Sequence, residues 1–300
     1  MLRKKNDIFL KAAFEETFAF LLQFFFKDAE KIFDLQRGFT FMDKELRELF
    51  PELEKKGGSR QADMLVKVFL LDGTEKWILV HIEIQEKYQA DFPKRMFKYF
   101  YRILDRFEVS VAAIAVFTGN KKPSISYYAD EMLGTKLVYE YNSYHILDNT
   151  EAQLLAMDNP FALVVLAAQK ALFANKIAEE ELSASRLAIA KALIQSKKFN
   201  HSKIETFLYF LKSYLHIENP EININFDKQI DVLTNKKNAM GILETIKMFE
   251  REEGEKIGEE KGKTEFVTNL LTQTDFSVAK IASLTNATEA FVQKIKNGLK

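Results

Sequence analysis

The chain has 300 residues, 47% hydrophobic and 29% charged, the composition of a folded protein with room for one core domain and one or two smaller modules. Its 43 Lys and Arg equal its 43 Asp and Glu, so a polyanionic partner would have to be met by local basic patches and not by an overall field. The absence of cysteine excludes disulfides, thiolate zinc sites and cysteine nucleophiles, and it fits a cytoplasmic setting.

From the N-terminus, Met1 to Asp7 is basic. The apolar run that follows, Ala12 to Phe26, contains Glu15 and Glu16 and has no small-residue cleavage pattern, so it does not read as a signal peptide. No segment is long and apolar enough to span a bilayer, and no membrane partner is expected. Residues Asn6 to Phe26 predict one helix that is apolar nearly all round, with Phe9, Phe14, Phe18, Phe20, Leu21, Leu22, Phe24 and Phe25, and such a helix is covered by the rest of its domain. Lys27 to Ser59 is a mixed polar connector with a short helical piece at Lys44 to Leu49 and a break at Pro51 and Gly57-Gly58.

The next stretch predicts a β-hairpin. QADMLVKVFLL (61–71) and KWILVHIEIQ (76–85) are rich in β-branched and large apolar residues, and Asp72-Gly73 between them supports the positive φ values of a tight turn. Alternation puts Ile78, Val80, Ile82 and Ile84 on one face and Trp77, Leu79, His81, Glu83 and Gln85 on the other. Asp63, Glu83 and Gln85 at the end of an apolar hairpin are costly unless something binds them, and a divalent cation would do so. His81 reads either as a neighbour of that site or as a satisfied core histidine.

After Pro93, KRMFKYFYRILDRF (94–107) has the helical period. Lys94, Arg95, Lys98, Arg102 and Arg106 fall within one third of the circumference, interrupted only by Asp105, with Met96, Phe100, Ile103, Leu104 and Phe107 opposite. A further apolar strand, VSVAAIAVF (109–117), completes a ββαβ order. A loop follows at Thr118-Gly119-Asn120 and Pro123, then a strand over Leu137 to Leu147. From Glu151 the chain turns helical, with helices from Asn159-Pro160 to Ala174, Glu180 to Gln195 and Ile204 to Leu215, and breaks at His201 and Pro220.

Glycines 254, 258 and 262 recur every four residues on one helical stripe, which reads either as a seam for self-association or as a flexible charged linker. FSVAKIASLTNATEAFVQKI (276–295) has the pattern of a helix-turn-helix, with an Ala-x-x-Ile-Ala run, a break at Thr285-Asn286 and a second helix from Thr288. Its only polar contacts on that helix would be Gln293, Lys294 and Lys296, which places packing or interaction ahead of base recognition.

Asp63, then Glu83-Ile84-Gln85, then Arg95 and Tyr99 on the next helix resemble the PD-(D/E)XK nuclease superfamily. Within it, the chain is similar to the recombination-promoting, transposase-associated nucleases, in which Glu-x-Gln commonly replaces Glu-x-Lys. Asp7 and Lys11 match that group's Asp-x-x-x-Lys start, with Leu10 where Phe is usual, and Glu253-Gly254 through Lys263 matches its charged, Gly-punctuated segment. The resemblance implies an α/β fold: a restriction-endonuclease-like core with a mixed central sheet over residues 1–150, a helical subdomain over 151–250, and a charged helix and helix-turn-helix-like tail over 251–300. It implies a DNA endonuclease dependent on Mg²⁺, with Mn²⁺ or Ca²⁺ as substitutes. Asp63, Glu83 and the Ile84 carbonyl would be metal ligands, joined by a first-helix carboxylate from Glu15 or Glu16, although these two read equally well as solvated acids. Gln85 would hold the attacking water, Arg95, Lys98 and Arg102 would contact DNA phosphates, and Tyr99 would buttress the site. The C-terminal helices could join copies into a homo-oligomer. A different class of reading is a catalytically silent protein that keeps the nuclease fold as a DNA-binding or protein-interaction module.

Overall fold

The computed structural model describes residues 2–50, 64–83, 91–122, 125–234, 262, 264, 266–274, 276–285 and 287–298. The chain divides into two compact units, Met1–Lys236 and Lys237–Lys300. Among the described residues no helix is long and apolar enough to cross a membrane.

The first unit opens with α1 (Leu2–Glu16) and α2 (Phe18–Phe25). The single helix expected here is interrupted at Thr17, whose Oγ1 donates to the Ala13 carbonyl at 2.6 Å. A hydroxyl bonding back one turn competes with the backbone ladder and bends the helix at that point. The connector then holds a one-turn helix α3 (Ala29–Ile32), a two-residue strand β1 (Thr40–Phe41) and α4 (Asp43–Leu49), of which the sequence pattern predicts only the last.

The expected hairpin is present as β2 (Met64–Phe69) and β3 (Glu75–Glu83), antiparallel, with Met64 opposite Val80 and Phe69 opposite Glu75. Its turn differs from the expectation in one respect: of Asp72 and Gly73, only Gly73 has a positive φ, +83°. Gly73 N–H donates to the Leu70 carbonyl and Leu70 N–H to the Thr74 carbonyl, both at 2.9 Å, the pattern of a three-residue loop with a glycine bulge. Asp72 contributes through its side chain instead, accepting from Thr74 Oγ1 at 2.7 Å and Thr74 N–H at 2.8 Å, which holds its carboxyl below the ordinary value.

Next come α5 (Phe92–Phe107) and β4 (Val111–Phe117), which lies parallel to β3 with Glu83 opposite Phe117. β5 (Tyr127–Met132) and β6 (Thr135–Glu140) form a separate two-stranded sheet, and β7 (Asn142–His145) returns to lie parallel to β4. The strand expected over Leu137 to Leu147 is therefore two strands in two sheets, separated at Tyr141 and followed by a 3₁₀ turn over Ile146–Asp148. The larger sheet has the order β1-β2-β3-β4-β7 and is mixed.

Both faces of that sheet are covered. Leu65, Trp77, Ala113, Ala115 and Phe117 on one face pack with Phe92, Met96, Tyr99 and Ile103 of α5 and with Leu46 and Phe50 from α4 and its end. Side chains at 92, 96, 99 and 103 recur at three- and four-residue spacing, so the buried stripe of α5 runs through Tyr99, while Leu104, expected inside, is 39% exposed. On the other face, α2 closes over β1 and β7: the Phe18 ring lies 5.8 Å from Phe41 and the Phe24 ring 5.1 Å from Tyr144.

The β5–β6 hairpin turns through Leu133 at φ +49° and Gly134 at φ +86°. A left-handed Leu costs about 1–2 kcal/mol, and Leu133 is 95% exposed with no packing to compensate. Leu133→Asn is expected to raise unfolding stability by about 1 kcal/mol, measured as a shift in urea midpoint at unchanged slope.

The helical region consists of α6 (Glu151–Ala156), α7 (Pro160–Phe173), α8 (Glu179–Ser196), α9 (His201–Tyr214) and α10 (Pro220–Leu233). Thr150, Asn159, Asn200 and Asn219 cap four of these, each side chain accepting from an N–H of the first turn. His201 and Pro220, expected as breaks, are instead the first helical residues of α9 and α10, the latter a helix the sequence pattern passes over. The Phe161 ring lies 4.8 Å from Phe14 and 5.2 Å from Phe24, and Asn159 Nδ2 donates to the Phe20 carbonyl at 2.9 Å, so α7 is packed against α1 and α2.

Arg186 of α8 is fully buried. Its Nη2 donates to Asn223 Oδ1 at 2.9 Å and its guanidinium lies 4.2 Å from the Phe226 ring centre, but Nε and Nη1 have no hydrogen-bond partner. Burial pushes its pKa down to about 10, an effect that Asp227 opposes. Both Asp227 oxygens meanwhile accept from Lys212 Nζ, at 2.8 and 2.9 Å.

The second unit is helical at 262, 264 and 266–273 (α11), Val278–Thr285 (α12) and Glu289–Gly298 (α13). Val267, Ile281, Ala282 and Val292 form its core. Gly254 and Gly258 of the glycine stripe lie outside the described residues, and a Cβ built on Gly262 meets nothing within 4 Å.

Candidate functional site

Strands β3, β4 and β7 run parallel and β2 antiparallel, so the C-terminal ends of the first three and the start of β2 share one end of the sheet. In open α/β sheets that end, beyond the strand termini, is where ligands bind. Glu83 is the last residue of β3, and Met64, the first described residue of β2, follows Asp63 directly. Asp63, Ile84 and Gln85 lie outside the described residues. α5 begins at this end, since it carries the chain from the end of β3 back to the start of β4.

The basic ridge of α5 divides by exposure. Lys94, Lys98 and Arg106 are exposed, whereas Arg95 and Arg102 are half-buried. The Arg95 guanidinium lies 5.0 Å from the Phe92 ring centre; Arg102 Nη1 donates to the Leu49 carbonyl at 3.3 Å and lies 5.1 Å from Phe50. Arg102 is thus tied to the end of α4, and by helical rise it lies about 12 Å along the axis from Lys94. Tyr99 is 4% exposed, its ring 4.5 Å from Phe50, the placement of a packing residue. Glu15 pairs with Lys11 at 3.7 Å on α1, and Glu16 is exposed. Among the described residues no group of three or more His, Cys, Asp or Glu is assembled to hold a metal.

The far side of the same sheet end holds an arrangement the sequence pattern does not flag. His145, buried at the end of β7, bonds through Nε2 to the Gly119 carbonyl at 2.8 Å, so that nitrogen carries the proton. Asp148 accepts from the His145 N–H at 3.1 Å and from Lys122 Nζ. These contacts join the loop after β4 to the turn after β7, two strand spacings or about 10 Å from β3. Burial alone would raise the Asp148 carboxyl, but the hydrogen bonds from Lys122 and His145 and the Lys122 charge outweigh it and leave the pKa below 3.8. A depressed folded-state pKa contributes stability above the unfolded value and loses it as pH falls through the folded one. Asp148→Asn is therefore expected to lower the urea midpoint at pH 7 and to narrow the gap from wild type below pH 3.8.

Compared with family models, with curated proteins and with solved structures, the chain matches none.

Proposed function

We propose that the chain is a divalent-metal-dependent DNA endonuclease of the PD-(D/E)XK type, hydrolysing phosphodiester bonds at the sheet end where β2 starts and β3 stops. The observation that carries the reading is the ββαβ order: an antiparallel hairpin, a helix with an exposed lysine ridge, and a strand parallel to the second hairpin strand. The register of Met64 with Val80 brings the chain on either side of the predicted acids to a common end. Two hard carboxylate donors and one backbone carbonyl are the donor set that suits Mg²⁺, which keeps several waters and takes few protein ligands.

Asp63, Glu83 and the Ile84 carbonyl would hold the ion, whose presence supplies a bound water of lowered pKa and polarises the scissile phosphate. Gln85 has no proton-accepting base, so its part is to orient water by donating and accepting hydrogen bonds. Lys94 and Lys98, exposed on the first turns of α5, meet the phosphates flanking the scissile one, while Arg102, held by Leu49, meets the strand farther along. The test is incubation of supercoiled plasmid with the purified chain in Mg²⁺, Mn²⁺, Ca²⁺ or EDTA. Nicking that needs the metal supports the reading; intact plasmid, single-stranded DNA and RNA in every metal overturn it.

A further inference from the structure

We infer that the C-terminal unit is a sequence-reading module for duplex DNA, with α13 as the helix that enters the major groove. This goes beyond the hydrolytic site and does not depend on it.

Three features build a helix-turn-helix from 278–297. α12 ends in a 3.0 Å bond from the Ala287 N–H to the Ala282 carbonyl, the wide closing bond of a helix that reverses direction sharply. Thr288 then caps α13, its Oγ1 accepting from the Phe291 N–H at 3.2 Å. Ile281 and Ala282 of α12 meet Val292 of α13 in one buried cluster with Val267, so the two helices are held together by their inner faces, with a small residue, Ala282, among them.

That packing turns a polar stripe outward. Glu289, Gln293, Lys296 and Asn297 are all exposed and span about 100° of the α13 circumference. Gln293 Nε2 donates to Asn297 Oδ1 at 3.0 Å, which presents two amides side by side. Amides pair with adenine through N6 and N7, and a carboxylate accepts from cytosine N4, so the stripe carries base-reading groups from the first residue of α13, Glu289, through Gln293 to Asn297 in its last turn. Lys296 on this helix and Lys280 and Ser283, exposed on α12, supply phosphate contacts. Between 276 and 298 the sequence has three lysines, 280, 294 and 296, against one acid, Glu289. A second protein is the poorer fit for α13, because among the described residues of this unit the large exposed apolar ones, Phe266, Phe276 and Leu284, all lie outside it.

The test is selection of random-sequence duplex DNA by the full chain in EDTA, followed by anisotropy titration of the enriched duplex against a scrambled one. The expected result is a preference of at least about tenfold, abolished by Gln293→Ala with Asn297→Ala. Lys280→Gln should instead weaken binding to every duplex alike and lower the salt slope by about one. These positions are exposed, so the far-UV spectrum of each variant should match wild type. Equal affinity for all duplexes, no binding, or a preference that survives loss of both amides would overturn the inference. EDTA silences hydrolysis, and Lys98→Glu on α5 should leave the preference intact, so the outcome is independent of whether the chain cuts DNA.

Discussion

Replacing Glu83 by Ala, or Asp63 by Ala, is expected to lower metal-dependent plasmid nicking by roughly 10²–10³-fold, the size of effect seen when one preorganised electrostatic partner of a reacting group is removed. The effect should be on kcat, since neither carboxylate is proposed to touch flanking DNA. A separate readout guards against misfolding. Wild-type protein should gain about 2.7 kcal/mol of stability when Mg²⁺ is raised to a hundred times its dissociation constant, and the two variants should gain none. In EDTA the variants should be no less stable than wild type, because a metal site without its ion would lose one of two like charges. Lys98→Glu, by contrast, should raise KM and its salt sensitivity while leaving the stabilisation by Mg²⁺ intact, as expected for an exposed residue that meets substrate only through phosphate. If both Ala variants nick as well as wild type, the hairpin is not the site. If wild type fails to cut any nucleic acid, the chain is better read as a silent nuclease-fold binding module.

Arg186→Met is expected to stabilise the protein by about 1–4 kcal/mol, an unusual sign for a change at a fully buried position. The guanidinium keeps its charge at neutral pH in surroundings that oppose it. Burial lowers its pKa from the ordinary guanidinium range to about 10, which corresponds to a penalty of about 3 kcal/mol. Two of its donors are unsatisfied, and the one nearby acid is already shared with Lys212. The folded state binds fewer protons than the unfolded one above about pH 10, so the penalty is complete below that pH and fades as pH rises through it. Met retains the long apolar stem against Phe226 and leaves only Asn223 Oδ1 to be satisfied. Arg186→Ala relieves the same charge but opens a cavity, so it should be less stable than Arg186→Met by about 2–5 kcal/mol. Urea unfolding of both variants at pH 7 separates charge from volume: if Met and Ala are equally destabilising, Asn223 and Phe226 repay the burial of the charge.

The hairpin, α5 and β4 are legible in the sequence because each is a long run with one period, and the ββαβ order follows from reading them in turn. What was not legible is short or depends on distant partners. β1 has two residues and exists only through pairing with β2, so no local pattern marks it. The division of 137–147 between two sheets is set by which strand each half meets, β5 or β4, and a run of Tyr, Val and Leu is equally suitable for both. α10 begins at Pro220, where a breaker and a helix start look alike without knowledge of the Asn219 cap. For the candidate site, the basic ridge is readable from spacing, but its division into exposed lysines and half-buried arginines is not, since for Arg102 that depends on Leu49 and Phe50 arriving from α4. The link among His145, Gly119, Asp148 and Lys122 leaves no trace in a linear pattern for the same reason.

The contact of α2 with α7 also shapes how the protein must be made. FAFLLQFF is synthesised before the sheet, yet Phe161, whose ring touches Phe14, Phe24 and Phe25, follows more than a hundred residues later. At ordinary elongation rates that is a delay of roughly ten seconds or more. During it this strongly apolar helix lacks its α7 partner, while the hairpin and β4, synthesised in between, can already pair. The nascent chain therefore passes through a stage with an assembled sheet and an uncovered aromatic surface, and surface of that kind makes partly folded chains prone to aggregate.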